Sequence, residues 1–475
     1  MTDERVSNVV LVTVDSLRAD AISPYDDDRH TPVVQELADR GTVFEHAFAN
    51  GNWTPFSFPS LLASRPVFAD NGRIGVTDSP TLAETLSSAD VATGGFNAAN
   101  GFLTSHWGYD DGFDEFEPFV ADVGSGVYSR YLAAHPTVEA WLQLAASPFR
   151  RLRALARRDG DDLPFLDTSR MFDVERAASR FVEGTEEPFF LWIHYMDPHT
   201  PYVPAPRYVR EVSSSLVGTH RMLIAHARTG LGLEVDDRTV ADLRTLYQGA
   251  VRQVDASVGR VLDSLDTAGV ADETAVVLAG DHGEEFREHG HLAHYPKLYD
   301  ELIHVPLIVD VPGADARRVE GAVGLDAVPP TVCDLFDVDA PDEWDGESVL
   351  PSVTDGEVLA DDPVVSVAVR GESVTAQPIP RSLADGDLLV SARTAEWTYL
   401  ENVDTGEGEL YHRPSDPQQR TDRAVDPTSA DAAVIERLRP LVRDHGAAVR
   451  QRGADAAEEG VDDAIETRLK ALGYR

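Results

Sequence analysis

The fold is decided at residues 274–312, which read TAVVLAGDHGEEFREHGHLAHYPKLYDELIHVPLIVDVP. The stretch opens with a short apolar run, 275–279, that is typical of a buried strand in a parallel sheet. Asp281 and His282 follow at the carboxyl end of that strand, where open α/β sheets bind their ligands. A carboxylate beside an imidazole at this edge predicts a metal site. The alternative for an isolated Asp-His pair is a turn with a surface histidine.

The surroundings of Asp281 and His282 favour the metal site over the turn. A second apolar run at 305–309 predicts another strand, so the pair is flanked by strands. Four more histidines lie between the two runs or at the start of the second: His289, His291, His294 and His304.

Composition narrows the class of protein. The chain has 475 residues, with 82 acidic side chains against 41 basic ones and a net charge of −41. Lysine occurs at positions 297 and 470 alone, so nearly all basic charge is arginine. An acidic, lysine-poor composition predicts adaptation to high salt, as in halophilic archaea, with the charges solvated at the surface. Nucleic acid is not an expected partner, because no broad basic face is present to meet phosphates.

Cysteine content and hydropathy indicate the cellular compartment of the protein. Cys333 is the sole cysteine, so no disulfide can form within the chain, and core packing is its expected role. No run of 18 apolar residues occurs, and no apolar signal stretch precedes the first predicted strand at 8–14. We therefore expect a cytoplasmic protein.

A second carboxylate follows a second strand. The run 9–14 is continuously apolar and delivers Asp15 at its end. A lone Asp after a strand is usually a helix cap or a turn residue. Because parallel strands end on one edge of a sheet, Asp15 is also placed to converge with Asp281 and His282.

Residues 52–66, NWTPFSFPSLLASRP, predict a short helix over 57–64 with Thr54 just before it. A helix N-terminus offers free N–H groups and the positive end of a dipole to an anion. A hydroxyl there could bind a metal and attack phosphorus or sulfur. The alternative is that Thr54 only caps the helix.

Five blocks of sequence together resemble the sulfatase family of the alkaline phosphatase superfamily, over about residues 6–425. The blocks are VTVDSLRAD (12–20), WTPFSFPSLLAS (53–64), WIHYMDPHTPYVP (192–204), AGDHGEEFREHGH (279–291) and LYDELIHVPLIV (298–309). The resemblance implies an α/β/α sandwich with a mostly parallel sheet and a smaller C-terminal α+β subdomain. It also implies that Asp15, Asp281 and His282 bind a divalent metal.

The resemblance places Thr54 at the nucleophile position. Family members carry Cys or Ser there, ahead of a helix that here ends in Ser60-Leu61-Leu62-Ala63-Ser64. Counting back from that ending gives Thr54 as nucleophile and metal contact, with Ser57 as a competitor if the alignment slips. Sulfatases oxidise their Cys or Ser to formylglycine, which threonine cannot form. Phosphodiesterase and phospho-group transferase relatives use an unmodified threonine.

The remaining site residues follow from the same resemblance. His199 matches the histidine of the family's Pro-His-x-Pro element, which contacts the substrate anion or leaving group. We expect His199, with His291 or His294, to neutralise charge and protonate the leaving oxygen, and Lys297 to bind substrate. His282 and Ser16 stand where many sulfatases have Asn and a second Asp. That exchange of oxygen for nitrogen favours Mn²⁺ or Zn²⁺, with Ca²⁺ as the alternative.

The chain divides into a catalytic domain at 1–354, with a helical insertion at about 120–185, and a C-terminal subdomain with a helical tail at 355–475. Within the insertion, 141–158 is basic and partly amphipathic. It could lie on an anionic lipid surface, or its arginines could pair with the protein's own acids. The sequence leaves the oligomeric state open.

Three functions compete for this chain. The first is a hydrolase or transferase of phosphate esters, with phosphodiesters favoured by Thr54. The second is a true sulfatase acting on sulfated carbohydrate. The third is a metal-binding family member without catalysis. In the first two cases the substrate is a small-molecule, glycan or lipid ester.

Overall fold

The structure, a computed structural model, describes residues 6–69, 72–120, 170–185, 188–214, 235–294, 296–370 and 383–458, and residues 221, 224 and 228 in addition. The basic segment 141–158 and most of the predicted helical insertion lie outside these ranges, as does the chain beyond residue 458. Membrane contact through 141–158 therefore stays a prediction. In the described ranges no helix is long and apolar enough to cross a membrane.

An eight-stranded sheet forms the centre of the molecule. Its strands are β1 (Asn8–Val14), β2 (Thr42–Phe48), β3 (Ala92–Asn97), β4 (Glu115–Glu117), β5 (Phe189–Tyr195), β6 (Thr274–Gly280), β9 (Leu307–Asp310) and β10 (Arg317–Gly324). They lie in the order β10-β2-β9-β6-β1-β5-β3-β4. Strand β9 runs antiparallel to β2 and β6, and the other neighbours are parallel. The predicted mostly parallel sheet is confirmed.

The register of the central strands brings their carboxyl ends together. Strands β1 and β6 pair with Val14 beside Gly280, and β1 and β5 pair with Val14 beside Tyr195. Every residue of these three strands is buried, as expected for parallel strands covered on both faces. The residues that follow, including Asp15 and Asp281, therefore emerge side by side at one edge of the sheet.

Helices cover both faces of this sheet. In chain order the α-helices of the described ranges are α1 (Pro32–Arg40), α2 (Thr54–Ala63), α3 (Leu82–Ser87), α4 (Met171–Gly184), α5 (Pro206–Val212), α6 (Asp237–Ala268), α7 (Asp300–Ile303), α8 (Val328–Leu335), α9 (Leu350–Thr354) and α10 (Ser429–Glu458). Short 3-10 turns lie at Ala19–Ala21, Ser105–Trp107, Ala271–Glu273, Leu325–Ala327 and Leu383–Asp385. Helix α6 is the longest α-helix of the described ranges, with 32 residues.

The alternation of β1 divides the core into two layers. Val10, Val12 and Val14 pack in one hydrophobic cluster with α1, α4 and α6. Val9 and Leu11 point to the opposite face, where they join a cluster with α2, α3 and α8. Side chains of a strand alternate between faces, so one strand serves both layers. The α/β/α sandwich predicted from the sequence is confirmed.

A second, antiparallel sheet forms the C-terminal subdomain. Its strands are β11 (Val364–Arg370), β12 (Asp387–Arg393), β13 (Trp397–Asn402) and β14 (Glu407–His412), in that order. Helix α10 packs on it through Leu438 and Val442. Trp53 and Phe56, beside Thr54, join the same cluster. The start of α2 is thus held between the two sheets. The smaller α+β subdomain is confirmed, and its boundary at 354/355 stays a prediction.

Helix α2 begins earlier than the sequence predicts. The sequence predicts a helix over 57–64, whereas the helix spans Thr54–Ala63 with Trp53 as its extended N-cap. Pro55 explains the difference, because proline has no N–H to lose and a suitable φ in the first turn of a helix. Thr54 is therefore the first helical residue rather than the cap.

Candidate active site

The carboxylates of Asp15 and Asp281 define the site at the carboxyl edge of β1 and β6. Both are fully buried. Asp281 Oδ1 accepts the backbone N–H of Ser16 at 3.0 Å and that of His282 at 2.7 Å. Ser16 reaches Asp281 from a left-handed conformation with φ 59°, which is uncommon outside glycine. The turn after β1 is thus shaped to hold the second carboxylate.

His282 completes a group of three possible ligands. Its Nε2 lies 3.6 Å from Asp15 Oδ1 and 3.7 Å from Asp281 Oδ2, and one atom from each residue falls within 4.8 Å of the others. Its Nδ1 lies 2.8 Å from the carbonyl oxygen of Gly283, which can only accept. The proton therefore sits on Nδ1, and Nε2 presents a lone pair. Metal-bound histidines are held by this kind of contact.

The charges of the group fit a cation. Burial, together with the negative charge of Asp15, raises the pKa of Asp281 well above its usual range. Burial also opposes ionisation of Asp15, but the charge of His199 and the nearby His194 and His282 hold the pKa of Asp15 below its usual range. Within the described part of the chain, Asp281 Oδ2 has no hydrogen-bond partner. Two such carboxylates can both ionise when a divalent cation lies between them.

Thr54 lies against this group. Its Oγ donates to Asp15 Oδ2 at 3.1 Å and lies 3.5 Å from His282 Nε2. Ser57, the competing nucleophile, is also buried, but its Oγ donates to the carbonyl oxygen of Gly51 at 2.9 Å. The geometry therefore favours Thr54 as the hydroxyl that faces a metal and a substrate, with Ser57 tying down the start of α2.

Two of the predicted histidines lie beside the carboxylates. The His294 ring is 5.1 Å from the His282 ring and 4.8 Å from the His199 ring, between centroids. The Nδ1 of His199 lies 2.6 Å from the carbonyl oxygen of Thr200. The Nδ1 of His294 lies 3.0 Å from Glu284 Oε2. Since each Nδ1 is engaged, Nε2 is the nitrogen that remains for a substrate on both rings.

His291 and Lys297 are held around a different carboxylate. Lys297 Nζ forms an ion pair with Glu285 Oε2 at 3.4 Å and donates to the carbonyl oxygen of His289. The backbone N–H of His291 donates to Glu285 Oε1 at 2.7 Å, and its Nδ1 lies 3.3 Å from the same His289 carbonyl. Both residues therefore brace the hairpin formed by β7 (Glu285–Phe286) and β8 (Leu292–Ala293). Their roles in catalysis and substrate binding stay predictions.

Asn100 is a site residue that the sequence did not reveal. Its Nδ2 donates to Asp15 Oδ2 at 3.1 Å and lies 3.4 Å from Thr54 Oγ. It follows β3, which ends at the same edge as β1 and β5. The order of the strands could therefore have placed Asn100 near Asp15. A search for charged and imidazole side chains passes over an asparagine. Glu284 was missed because it follows Asp281-His282-Gly283 in an acidic run.

Comparisons with known proteins identify the family and the fold of the chain. The family model for sulfatases matches residues 7–338. The multifunctional alkaline phosphatase superfamily protein PehA of Trinickia caryophylli is 26% identical over 212 residues, which is 39% of this chain and 41% of that protein. The choline-sulfatase of Rhizobium meliloti is 23% identical over 469 residues, covering 92% of this chain and 86% of that protein. The phosphonate monoester hydrolase of Agrobacterium radiobacter has a TM-score of 0.67 at 20% identity, covering 94% and 96% of the two chains.

Proposed function

The chain belongs to the sulfatase family of ester hydrolases, and we propose that within this family it cleaves phosphate esters, diesters above all, with Thr54 as nucleophile. One observation carries the proposal: the hydroxyl placed 3.1 Å from Asp15 belongs to a threonine, which cannot form the formylglycine of sulfatases. The relatives include both choline-sulfatase and a phosphonate monoester hydrolase, so the family does not decide the ester by itself.

The contacts of Thr54 fit a nucleophile. A hydroxyl has one proton and two lone pairs, and Thr54 directs its proton to Asp15. The two lone pairs of Oγ then face Asn100 Nδ2, which can donate, and an incoming ester. Attack of Oγ on phosphorus passes the hydroxyl proton to Asp15, forms an ester of threonine and breaks the bond to the leaving oxygen, which departs with a proton from an imidazole. Water, or an acceptor hydroxyl, then takes the phosphoryl group from Thr54.

His199 and His294 fit the leaving-group side. Both rings keep Nε2 available, and both lie beside His282 and the carboxylates. Once Nε2 has taken a proton from water, the imidazolium can donate that proton to a departing oxygen and offset negative charge on the transferred group. The proposal gives these residues separate tasks. Thr54 attacks, His199 and His294 assist departure of the leaving group, and Asn100 holds the side chains of Asp15 and Thr54 in place.

Asp15, Asp281, His282 and Thr54 would hold one divalent ion. Such an ion, when bound, lowers the pKa of an alcohol and offsets charge on the ester. Three carboxylate and hydroxyl residues with one imidazole suit Mn²⁺ or Zn²⁺ better than Ca²⁺, which takes oxygen ligands alone in higher number. Isothermal titration of the chelator-treated protein with Mn²⁺, Zn²⁺ and Ca²⁺ tests the order. Tightest binding of Ca²⁺ would reverse our assignment.

The proposed function is tested with matched aryl esters. We expect 4-nitrophenyl phosphodiesters to exceed 4-nitrophenyl sulfate in kcat/KM, and Thr54→Ala to remove turnover while metal binding persists. Enzyme quenched during turnover of the phosphate ester should carry a phosphoryl group on the peptide containing Thr54. The control is Ser57→Ala, which should act more mildly. Preference for the sulfate ester, with no phosphorylated peptide, would overturn the proposal.

The second candidate is a sulfatase acting on sulfated carbohydrate. The choline-sulfatase match, which spans most of both chains, favours a sulfate ester without pointing to a carbohydrate. In that case the aryl sulfate is the better substrate in the same assay. The third candidate, metal binding without catalysis, would show ion binding in titration and no turnover of any ester in the panel.

A further inference from the structure

Glu284 is a buried carboxylate that the mechanism above leaves without a task. Its side chain is fully buried. Its Oε2 lies 3.0 Å from His294 Nδ1, and its Oε1 accepts the hydroxyl proton of Tyr202. The backbone is fixed as well, because its N–H donates to the carbonyl oxygen of Glu301 at 2.9 Å and its carbonyl oxygen accepts from Arg18 Nη1 at 3.0 Å. Both carboxylate oxygens are therefore aimed by a rigid main chain.

The cost of this burial points to a function. A carboxylate without water around it is unfavourable unless it is paired and hydrogen-bonded. In the described ranges, the side chain whose nitrogen lies within hydrogen-bond distance of the Glu284 carboxylate is His294. Arg18 is close, but it binds the carbonyl oxygen of Glu284 and pairs with Asp20 and Glu288. The gain that offsets the burial of Glu284 therefore comes through His294 and Tyr202.

The partners of Glu284 connect the two catalytic histidines. Tyr202 lies three positions after His199 in the same loop, and its ring packs on Phe286 of the hairpin at 5.9 Å. His294 is held at its carbonyl oxygen by the indole N–H of Trp53, the neighbour of Thr54. One carboxylate thus spans the loop that carries His199 and the hairpin that carries His294.

We propose that Glu284 is a positioning residue for His294: its carboxylate accepts the Nδ1 proton and so turns Nε2 toward the leaving oxygen of the substrate. A second proton, taken from water onto Nε2, makes the ring an imidazolium, and the ring returns to its neutral form when that proton passes to the leaving oxygen. A carboxylate accepts and does not donate, so the contact selects one tautomer and one ring orientation. Tyr202 fixes the other oxygen and keeps the carboxylate from rotating. This inference rests on the proposed ester cleavage, and it identifies His294, rather than His291, as the partner of His199.

Glu284→Gln tests the inference with little change of shape. We expect kcat to fall about 10- to 100-fold, as for other residues that orient a catalytic group, with KM changed by less than about twofold. The loss should be larger for a phenyl ester than for a 4-nitrophenyl ester, because a poor leaving group depends more on proton donation. Tyr202→Phe should show the same trend with a smaller loss. An equal loss for both esters would contradict the inference.

Two controls separate positioning from damage to the fold. In a His294→Ala background, Glu284→Gln should have no further effect on kcat, since the two residues act as one unit. Glu285→Gln removes the neighbouring carboxylate that braces the hairpin, and its loss should be the same for both esters. Full additivity of Glu284→Gln with His294→Ala would show that Glu284 acts elsewhere.

A spectroscopic readout keeps the inference separate from the substrate question. Nitrogen-15 spectra of labelled histidine should show His294 with the proton on Nδ1 in the wild-type protein and a mixture of tautomers in Glu284→Gln. The leaving-group comparison can also be made with aryl sulfates if those are the better substrates, so failure of the phosphate proposal would not affect it. A wild-type spectrum with the proton on Nε2 alone would overturn the inference.

Discussion

Two carboxylate sites in this molecule have opposite surroundings: Asp15 and Asp281 are fully buried, whereas Asp300 is partly buried. At the carboxyl edge of the central sheet, Asp281 has an oxygen without a hydrogen-bond partner in the described ranges, and its pKa is raised by burial and by Asp15. At the seam between the two sheets, Asp300 lies 2.7 Å from Arg413 Nε and 3.5 Å from Arg393 Nε. Although burial opposes ionisation, the two arginines lower the pKa of Asp300 to about 2.

The difference shows how to tell a site from a structural contact. At the seam, Arg393 and Arg413 balance the charge of Asp300, and Gln419 donates a further hydrogen bond to it at 2.9 Å. The protein itself therefore compensates this carboxylate. The edge brings carboxylates and imidazoles together, and among the residues that the structure describes no arginine or lysine forms an ion pair with Asp15 or Asp281, so a bound cation would have to balance the negative charge. Perturbed pKa values occur in both places, but the causes differ: at the edge, burial and the charge of Asp15 raise the pKa of Asp281, whereas at the seam two arginines lower the pKa of Asp300.

The largest effect is expected from Asp281→Asn. Removal of one ligand should lower kcat/KM on the order of a thousandfold, because several kcal/mol of metal assistance are lost and each 1.36 kcal/mol is a factor of ten. The metal-free variant should be at least as stable as the metal-free wild type, since a buried carboxylate without a cation is removed. Activity assays and chemical unfolding of chelator-treated protein measure both. A metal-free variant much less stable than the metal-free wild type would show that Asp281, like Asp300, stabilises the fold by itself.

The converse change is Asp300→Asn at the seam. It leaves Arg393, which is fully buried, and Arg413 without their carboxylate. Breaking a buried pair from one side costs roughly 3–5 kcal/mol in free energy of unfolding, whereas the exposed pair of Arg176 and Asp173 should cost less than about 1 kcal/mol when Arg176→Ala breaks it. Urea unfolding compares the two variants. Equal losses would mean that the seam pair is no stronger than a surface pair.

Acid should weaken the seam in a defined window. The pKa of Asp300 is lowered from 3.8 to about 2, so its stabilisation is present above pH 4 and is lost as the pH falls toward 2. A shift of this size corresponds to about 2 kcal/mol. The difference in free energy of unfolding between wild type and Asp300→Asn should therefore shrink by that amount between pH 4 and pH 2. A constant difference across the window would show that Asp300 titrates normally.

Salt should raise the free energy of unfolding by screening surface charges, and it should hardly change the contribution of the ion pairs at the seam. The net charge of −41 predicts that free energy of unfolding rises with salt, because self-repulsion is screened as the Debye length falls from roughly 30 Å at 0.01 M to 3 Å at 1 M. The loss caused by Asp300→Asn should change by less than ~0.5 kcal/mol over the same range, since buried pairs are screened little. Thermal and urea unfolding at several KCl concentrations test both statements.

The sequence by itself determined the sheet and the edge. The apolar runs at 9–14 and 275–279 are long enough and uniform enough to be buried strands, and parallel strands end on one side. Asp15 and Asp281 are adjacent in chain position to those strands, so their convergence follows from local pattern and one topological rule. The family resemblance then placed Thr54 and His199 near them, and the structure brings all four together.

Tertiary structure decided the contacts that local pattern cannot encode. Asp300, Arg393 and Arg413 come from separate parts of the chain and meet because the second sheet docks on the first. In the hairpin, each strand is two residues long, so neither period nor propensity fixes which side chains face the site. Glu284 holds His294 at the candidate site, whereas Glu285 holds Lys297 beside the hairpin. These pairings form because a buried polar side chain needs a partner within hydrogen-bond distance.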